Sequence, residues 1–441
     1  MKNILVIAYY FPPLGGAGVQ RTIKFCKYLP LYGYRSIIVT GPGKANNRWS
    51  PIDQTLTKEL DSKIEIHRIE SLPPKEKKII EVLRKWTPLK SAFSQWWYIN
   101  SVKIIERVLI KSQIDLIYAS LSPFESASIA EYFKKKFNIS WVADLRDPWA
   151  LDEMQIYKSF FHRKYEKKKM RKMLDSSSGI VMNTPEAQNQ IKLSCPELKN
   201  KKIVTITNGY DGEDFAGSKF KNNSEKFVIV HTGYFHSELG KFLKKRRFIY
   251  QITGGAITGI DILPRSHLFF IKAIEEWIKK TPKISDKIKI KFAGRLSDGD
   301  KAIINESKIA HLVETPGYIS HSESLSLIKN ANLLFLPMHN ITDGKRATIV
   351  PGKTYEYMAT GNPILAAVPD GDAKDFVKKC GTGLVCKPDD INEMISILET
   401  AFNSWQEEKE VHTKDEEFIK TFERKNLTQQ LSQVFDSITK I

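Results

Sequence analysis

PGKTYEYMATGNPIL, residues 351–365, opens a helix, closes it and runs straight into a buried strand. Pro351 fits the first helical turn, where its missing N–H would have no partner in any case. Gly361 fits the left-handed residue that ends a helix, and Pro363 forbids its continuation. The apolar run 364–368 follows at once. A helix that delivers the chain into a continuously apolar strand is a repeating unit of a parallel sheet covered on both faces. The helix start also has the makings of an anion site. The amides at 352–354 are expected to face outward at the positive end of the dipole, with Lys353 and Thr354 in the same turn. Glu356, further along the first turn, is placed to accept hydrogen bonds from hydroxyl groups.

The same grammar extends in both directions. Apolar runs at 4–10, 36–40, 64–69, 116–120, 140–144, 179–183 and 203–207 predict strands, with helical stretches at 18–32, 98–112, 123–136, 153–174 and 185–193. It restarts at 227–231 and continues through 288–293, 333–337, 364–368 and 383–386. The sequence therefore predicts an α/β protein with two Rossmann-like, doubly wound domains in tandem. Residues 1–215 form the first and 216–410 the second, the boundary falling where 212–225 turns polar. Residues 411–441 are charged and then amphipathic, with Phe418, Phe422, Leu427, Leu431, Phe435 and Ile438 spaced as one apolar stripe on a terminal helix.

A chain of 441 residues is too long for one ordinary core, and its 41% hydrophobic content is ample for two. The net charge of +18 favours anionic partners. Cys26, Cys195, Cys380 and Cys386 show no metal or disulfide spacing, which fits a reducing cytoplasm. The opening apolar run is too short to span a bilayer, and no later window reaches about 18 apolar residues.

Gly15, Gly16 and Gly18 lie between the first strand and first helix, where an open parallel sheet places its ligand crevice. Glycine there lets backbone amides approach a phosphate, and Arg21 adds charge one turn in. The spacing is not that of a nicotinamide dinucleotide site. WVADLRDPW, 141–149, puts Asp144, Arg146 and Asp147 at the carboxyl end of a buried strand. Asp144 and Asp147 are the candidates for handling an acceptor proton, and Arg146 the candidate for an internal ion pair. Asn183-Thr184-Pro185 fits a helix N-cap. In the second half, Gly233 ends a strand and Arg265 precedes the next helix, so Arg265 and Lys353 can converge on a diphosphate. Arg295 and Tyr318 end two further strands and are candidates for a rim around a base or ribose. Residues 237–262, which include KFLKKRR at 241–247, are expected to form a long loop.

The charge is clustered. Residues 158–172, KSFFHRKYEKKKMRK, carry eight Lys/Arg against one Glu, with three aromatics interleaved. Residues 75–97, KEKKIIEVLRKWTPLKSAFSQWW, add a second basic-aromatic patch. Both fit an anionic membrane surface. Nucleic acid is disfavoured as a partner because no recognised binding motif accompanies the charge.

Taken in order, PPLGGAGVQR, WVADLRDPW, VMNTPEAQ, ITNGYDGEDF, HTGYF, FAGR, PGYIS and PGKTYEYMATGNPIL resemble glycosyltransferase family 4, the retaining enzymes of GT-B fold. Within it, PGKTYEY is similar to the variant found in bacterial surface-polysaccharide assembly. The resemblance implies a nucleotide-sugar domain at the C-terminal side, an acceptor domain facing it across a cleft, and a terminal helix crossing back to the first domain. It implies that Lys353 and Arg265 bind the donor diphosphate, that Glu356 binds ribose hydroxyls, and that Gly15 and Gly16 approach the phosphate or sugar. It implies transfer to a glycan or lipid-linked hydroxyl, without cofactor, by an enzyme of the cytoplasm or inner membrane face. No Asp-x-Asp pair is assigned to a metal, since fixed cations are expected to replace it. The sequence departs from the family's Glu-x(7)-Glu motif, with Thr348 where the first Glu belongs. Alternatives are a nucleotide-sugar epimerase of the same fold or a basic nucleic-acid-binding protein.

Overall fold

A computed structural model describes residues 1–44, 51–61, 64–83, 89–157, 159–216, 224–409 and 413–439. It divides into two compact units. One comprises Met1–Gly209, Thr253–Gly255 and the chain from Arg424 onward; the other comprises Tyr210–Ile252 and Ala256–Glu423.

The first unit holds β1 (Lys2–Ala8), β2 (Tyr34–Thr40), β3 (Glu65–Arg68), β4 (Leu116–Ser120), β5 (Trp141–Leu145), β6 (Gly179–Met182) and β7 (Lys202–Thr205). They form one parallel sheet in the order β3-β2-β1-β4-β5-β6-β7. The predicted strands all occur, with ends shifted by a residue or two. Along β1, Leu5 and Ile7 enter one core while Ile4, Val6 and Ala8 enter the core on the opposite face. Each fully buried aliphatic side chain contributes about 1.5–3 kcal/mol. That two-sided burial explains why the strands are apolar throughout rather than alternating.

The second unit holds β8 (Phe227–Thr232), β9 (Ile260–Asp261), β10 (Ile288–Ala293), β11 (Val313–Gly317), β12 (Leu333–Pro337), β13 (Asn340–Ile341), β14 (Ile364–Ala367) and β15 (Gly383–Cys386). Its main sheet runs β11-β10-β8-β12-β14-β15, and β9 pairs only with β13. The strand order reverses between β8 and β12, the switch point at which such sheets bind ligands.

Three expectations are corrected. Residues 237–252 are a helix, Ser237–Ile252, not part of a long loop. The chain changes unit at Gly209/Tyr210, not 215/216, because Tyr210 bridges to Glu423 and its ring meets Phe215 edge-on at 5.5 Å. The terminal stripe is split between two helices. Glu416–Lys420 packs with Phe418 and Phe422 in the second unit, while Arg424–Thr439 buries Leu427, Leu431 and Phe435 in the first. The Arg424–Thr439 helix is held there by Tyr34, whose hydroxyl donates to Asp436 at 2.7 Å and whose ring meets Phe435 at 5.5 Å.

Candidate functional site

The switch point of the second unit is built from three strand ends and one helix. Gly233, after β8, donates its amide to Ala293 of β10 at 2.7 Å, and Gly294 donates to Gly317 of β11 at 2.8 Å. Gly233 has φ +106°, and a Cβ there would stand 2.8 Å from the Lys353 ammonium. Gly294 has φ +142°, and a Cβ there would stand 2.2 Å from the Gly233 carbonyl. Only glycine satisfies both the conformation and the close approach.

The Lys353–Thr360 helix reaches the same place from the other side of the switch point. The buried Tyr357 hydroxyl accepts a hydrogen bond from the Thr232 amide at 3.0 Å, fixing the helix against the end of β8. One turn back, Lys353 lies beside His231, with Nζ 3.1 Å from Nε2. The Nδ1 of His231 faces the Phe335 carbonyl at 2.9 Å. A carbonyl only accepts, so Nδ1 carries the proton and Nε2 accepts from the ammonium. Burial, reinforced by the Lys353 charge, holds the imidazole pKa well below its usual value, consistent with that neutral tautomer.

Arg265 joins this group: its charge acts on both His231 and Lys353. Burial first, and then Arg265, lower the Lys353 pKa to about 7, with Glu356 pulling the other way. Two cations that act on each other in a half-buried niche suit the binding of an anion. Glu356 lies on the same helix, half-buried, with no hydrogen bond or ion pair among the described residues. Arg295 and Tyr318 also meet, the guanidinium 5.7 Å from the ring centroid.

Thr354 departs from expectation. Its side chain is fully buried with its hydroxyl unpartnered, and its amide donates to the Pro351 carbonyl at 3.0 Å. The helix start therefore offers less backbone to a ligand than the sequence implied, and Thr354 faces the core.

In the first unit, Gly16, with φ +91°, begins the Ala17–Tyr28 helix, while the Gly15 amide is spent on the Pro51 carbonyl at 2.6 Å. A Cβ on Gly18 would lie 2.3 Å from an Arg146 nitrogen, so the glycine turn and the 144–149 loop are neighbours. Asp147 stands beside Arg146 at 3.5 Å with 41% of its side chain exposed, and stays a candidate for contact with an acceptor. Asp144 does not. It is fully buried, accepts two hydrogen bonds from Arg21 at 2.7 and 2.8 Å, and accepts a third from Tyr118 at 2.6 Å. Arg21 also donates to the Ile206 and Thr207 carbonyls. Both residues, expected to meet ligand, instead tie β5, the first helix and the chain after β7 together. Arg146 pairs with Asp147 inside its loop as expected, and the buried ion pair of Asp144 is a second one, made with Arg21. Thr184 caps its helix as expected, accepting from the Ala187 amide at 3.1 Å.

Two Asp-x-Asp spacings occur in the second unit, at Asp298/Asp300 and Asp370/Asp372. Asp298 and Asp300 start a helix, where Asp300 completes a capping box with Ser297. Asp370 and Asp372 face Lys374 and Arg346. Neither pair belongs to a cluster of metal-ligating side chains among the described residues.

Residues 262–404, which carry Arg265, Arg295, Tyr318, Lys353 and Glu356, match the family model described as glycosyl transferases group 1. That match supports a glycosyltransferase. No curated protein sequence matches the chain. Solved structures match it over nearly its whole length at low identity. Sucrose-phosphate synthase from Thermosynechococcus elongatus has a TM-score of 0.65 at 12% identity, with 100% of each chain covered. HepE from Anabaena, in complex with UDP and glucose, has a TM-score of 0.60 at 14% identity, covering 99% of this chain and 100% of its own. A glycosyltransferase from Rickettsia africae has a TM-score of 0.62 at 16% identity, covering 100% and 99%. These likenesses establish the fold: two Rossmann-like units, as in GT-B proteins.

Proposed function

We propose that this protein is a retaining glycosyltransferase that moves a sugar from a nucleotide diphosphate sugar to a hydroxyl of a glycan or lipid-linked acceptor, in cell-surface polysaccharide assembly. The observation that carries the reading is the pairing of Lys353 and Arg265 beside the glycine-ended strand β8. When the sugar–phosphate bond breaks, negative charge grows on the leaving diphosphate. Cations already fixed in a partly desolvated niche stabilise that charge without reorganising. Glu356 and the Arg295–Tyr318 pair hold the ribose and base. The acceptor hydroxyl passes its proton to the departing phosphate on the same face, and Asp147 positions that hydroxyl. HepE, whose solved structures contain UDP and UDP-glucose, makes uridine diphosphate sugars the first donor class to try.

Membrane attachment belongs to the same proposal. No helix among the described residues is long and apolar enough to cross a membrane. The Phe160–Ser176 helix instead lines a groove of about 910 Å3 with Arg163, Lys164, Lys167, Lys168, Arg171 and Lys172. Phe160 and Phe161 are exposed beside it. Lys158 and residues 84–88 of the two basic patches lie outside the described residues. Cations flanked by exposed aromatics suit the inner, anionic face of a membrane.

A thermal-shift panel of UDP-, GDP-, dTDP-, ADP- and CMP-sugars tests the donor site, because a ligand of the folded state alone raises the midpoint. One nucleotide class should shift it in the parent protein and not in Lys353→Ala. The absence of a shift with any donor at millimolar concentration would sink the proposal.

A further inference from the structure

The Phe160–Ser176 helix has a second face. His162, Tyr165, Glu166 and Lys169, spaced three and four apart, line a separate cavity of about 410 Å3 together with the starts of the Ala92–Lys111 and Ser126–Phe137 helices. That volume falls in the range of small-ligand sites. Its chemistry is unlike that of the basic groove. Lys90 and Lys169 are matched by Glu125 and Glu166, so the lining has no net charge.

The polar groups are numerous and only partly committed. Ser94 donates to Glu125 at 2.7 Å, which leaves the second oxygen of Glu125 without a hydrogen bond. The Nε2 of His162 is buried with no partner, while Nδ1 engages Ser159 at 3.0 Å. The Gln95 side-chain amide makes no hydrogen bond among the described residues. Tyr98 and Tyr165 supply ring faces. Carboxylate, amide and imidazole groups around two phenol rings suit vicinal hydroxyls and the C–H face of a pyranose, not an anion or an alkyl chain. The cavity lies at the carboxyl-end side of the sheet, since Glu125 of its lining follows β4. Glu125 and Arg146 both act on the Tyr10 phenol, from opposite directions in charge, and Tyr10 follows β1.

We infer that this cavity binds a neutral sugar ring, the terminal residue of the acceptor. Its role as an acceptor subsite rests on the proposed function; its affinity for a sugar does not. Saturation-transfer NMR on the full chain, with the methyl glycosides of glucose, galactose, mannose, N-acetylglucosamine and rhamnose, tests it. At least one glycoside should receive saturation at millimolar concentration, and saturating UDP should leave the signal in place. Gln95→Leu and Tyr98→Leu should each abolish it while leaving a UDP-glucose thermal shift intact. Gln95 is exposed, so its variant carries the test even if Tyr98→Leu unfolds. The inference is overturned if no glycoside receives saturation, if Gln95→Leu leaves the signal unchanged, or if UDP displaces it. Loss of the UDP-glucose shift in the parent protein would instead count against the donor site.

Discussion

The ammonium of Lys353 lies 3.1 Å from Nε2 of His231, a ring whose other nitrogen is committed to the Phe335 carbonyl. The imidazole can only accept, so it aims the ammonium without neutralising it. Burial and Arg265 meanwhile lower the Lys353 pKa to about 7. A donor diphosphate binds the ammonium form. Below pH 7 that form is already present and affinity should be flat. Above it, binding must take up a proton, and affinity should fall by up to about tenfold per pH unit. Calorimetry with UDP-glucose from about pH 6 to about pH 9 should show this uptake, and Lys353→Met should lack it. A pH-independent affinity in the parent protein would contradict the assignment.

Glu356 pulls the Lys353 pKa upward. Glu356→Gln removes that charge, so the break in affinity should move to lower pH, and affinity at pH 7 should drop. If the break stays where it is while affinity drops, Glu356 acts on the ligand alone.

Gly233→Ala places a methyl group 2.8 Å from the Lys353 ammonium at φ +106°. Backbone strain of this kind costs of order 1–3 kcal/mol. The lysine must also move. Affinity for UDP-glucose should therefore fall further than the loss of thermal stability explains, a comparison that isothermal calorimetry and a melting curve make directly. Equal losses in both would reduce Gly233 to a purely conformational role.

What was legible in the sequence depended on how local its cause was. The strands were plain because both faces of each sheet are covered, which forces continuous apolar runs such as those of β4 and β12. The Ser237–Ile252 helix was missed because KFLKKRR interrupts any apolar stripe, and Phe248, Ile249 and Ile252 remain exposed. The terminal stripe was over-extended because its spacing continues across Thr421–Glu423, although the chain changes unit there. In the site, Lys353 and Glu356 announced themselves within one helix. The partner of Asp144 did not, since Arg21 is 123 residues away. Nor did the His231–Lys353 contact, which spans 122 residues.

The two aspartates of WVADLRDPW should now separate by experiment. Removing one partner of a buried ion pair costs about 3–5 kcal/mol, because the other charge is left stranded. Asp144→Asn should lower chemical-denaturation stability by an amount of that order, with Arg21 left unpaired. Asp147→Asn touches only a long, exposed contact with Arg146. It should change stability by no more than about 0.5 kcal/mol while lowering the transfer rate. An Asp147→Asn variant with normal transfer would remove Asp147 from the acceptor side.

The basic helix makes the last prediction. Lys164 and Lys168 are exposed, line the same groove and sit one turn apart. Each basic residue near an anionic surface is worth about 1 kcal/mol. Lys164→Ala with Lys168→Ala should therefore weaken partition onto phosphatidylglycerol-containing vesicles by about 30-fold at low salt, and raised salt should weaken it further. Phe161, 79% exposed at the helix start, should add an apolar anchor that salt does not screen. Phe161→Ser should lower partition by a factor that stays constant as salt rises. Vesicle flotation of the three proteins distinguishes the two contributions. Equal partition onto phosphatidylcholine and phosphatidylglycerol vesicles would show that the cations do not face a membrane, leaving the groove as a solvated surface.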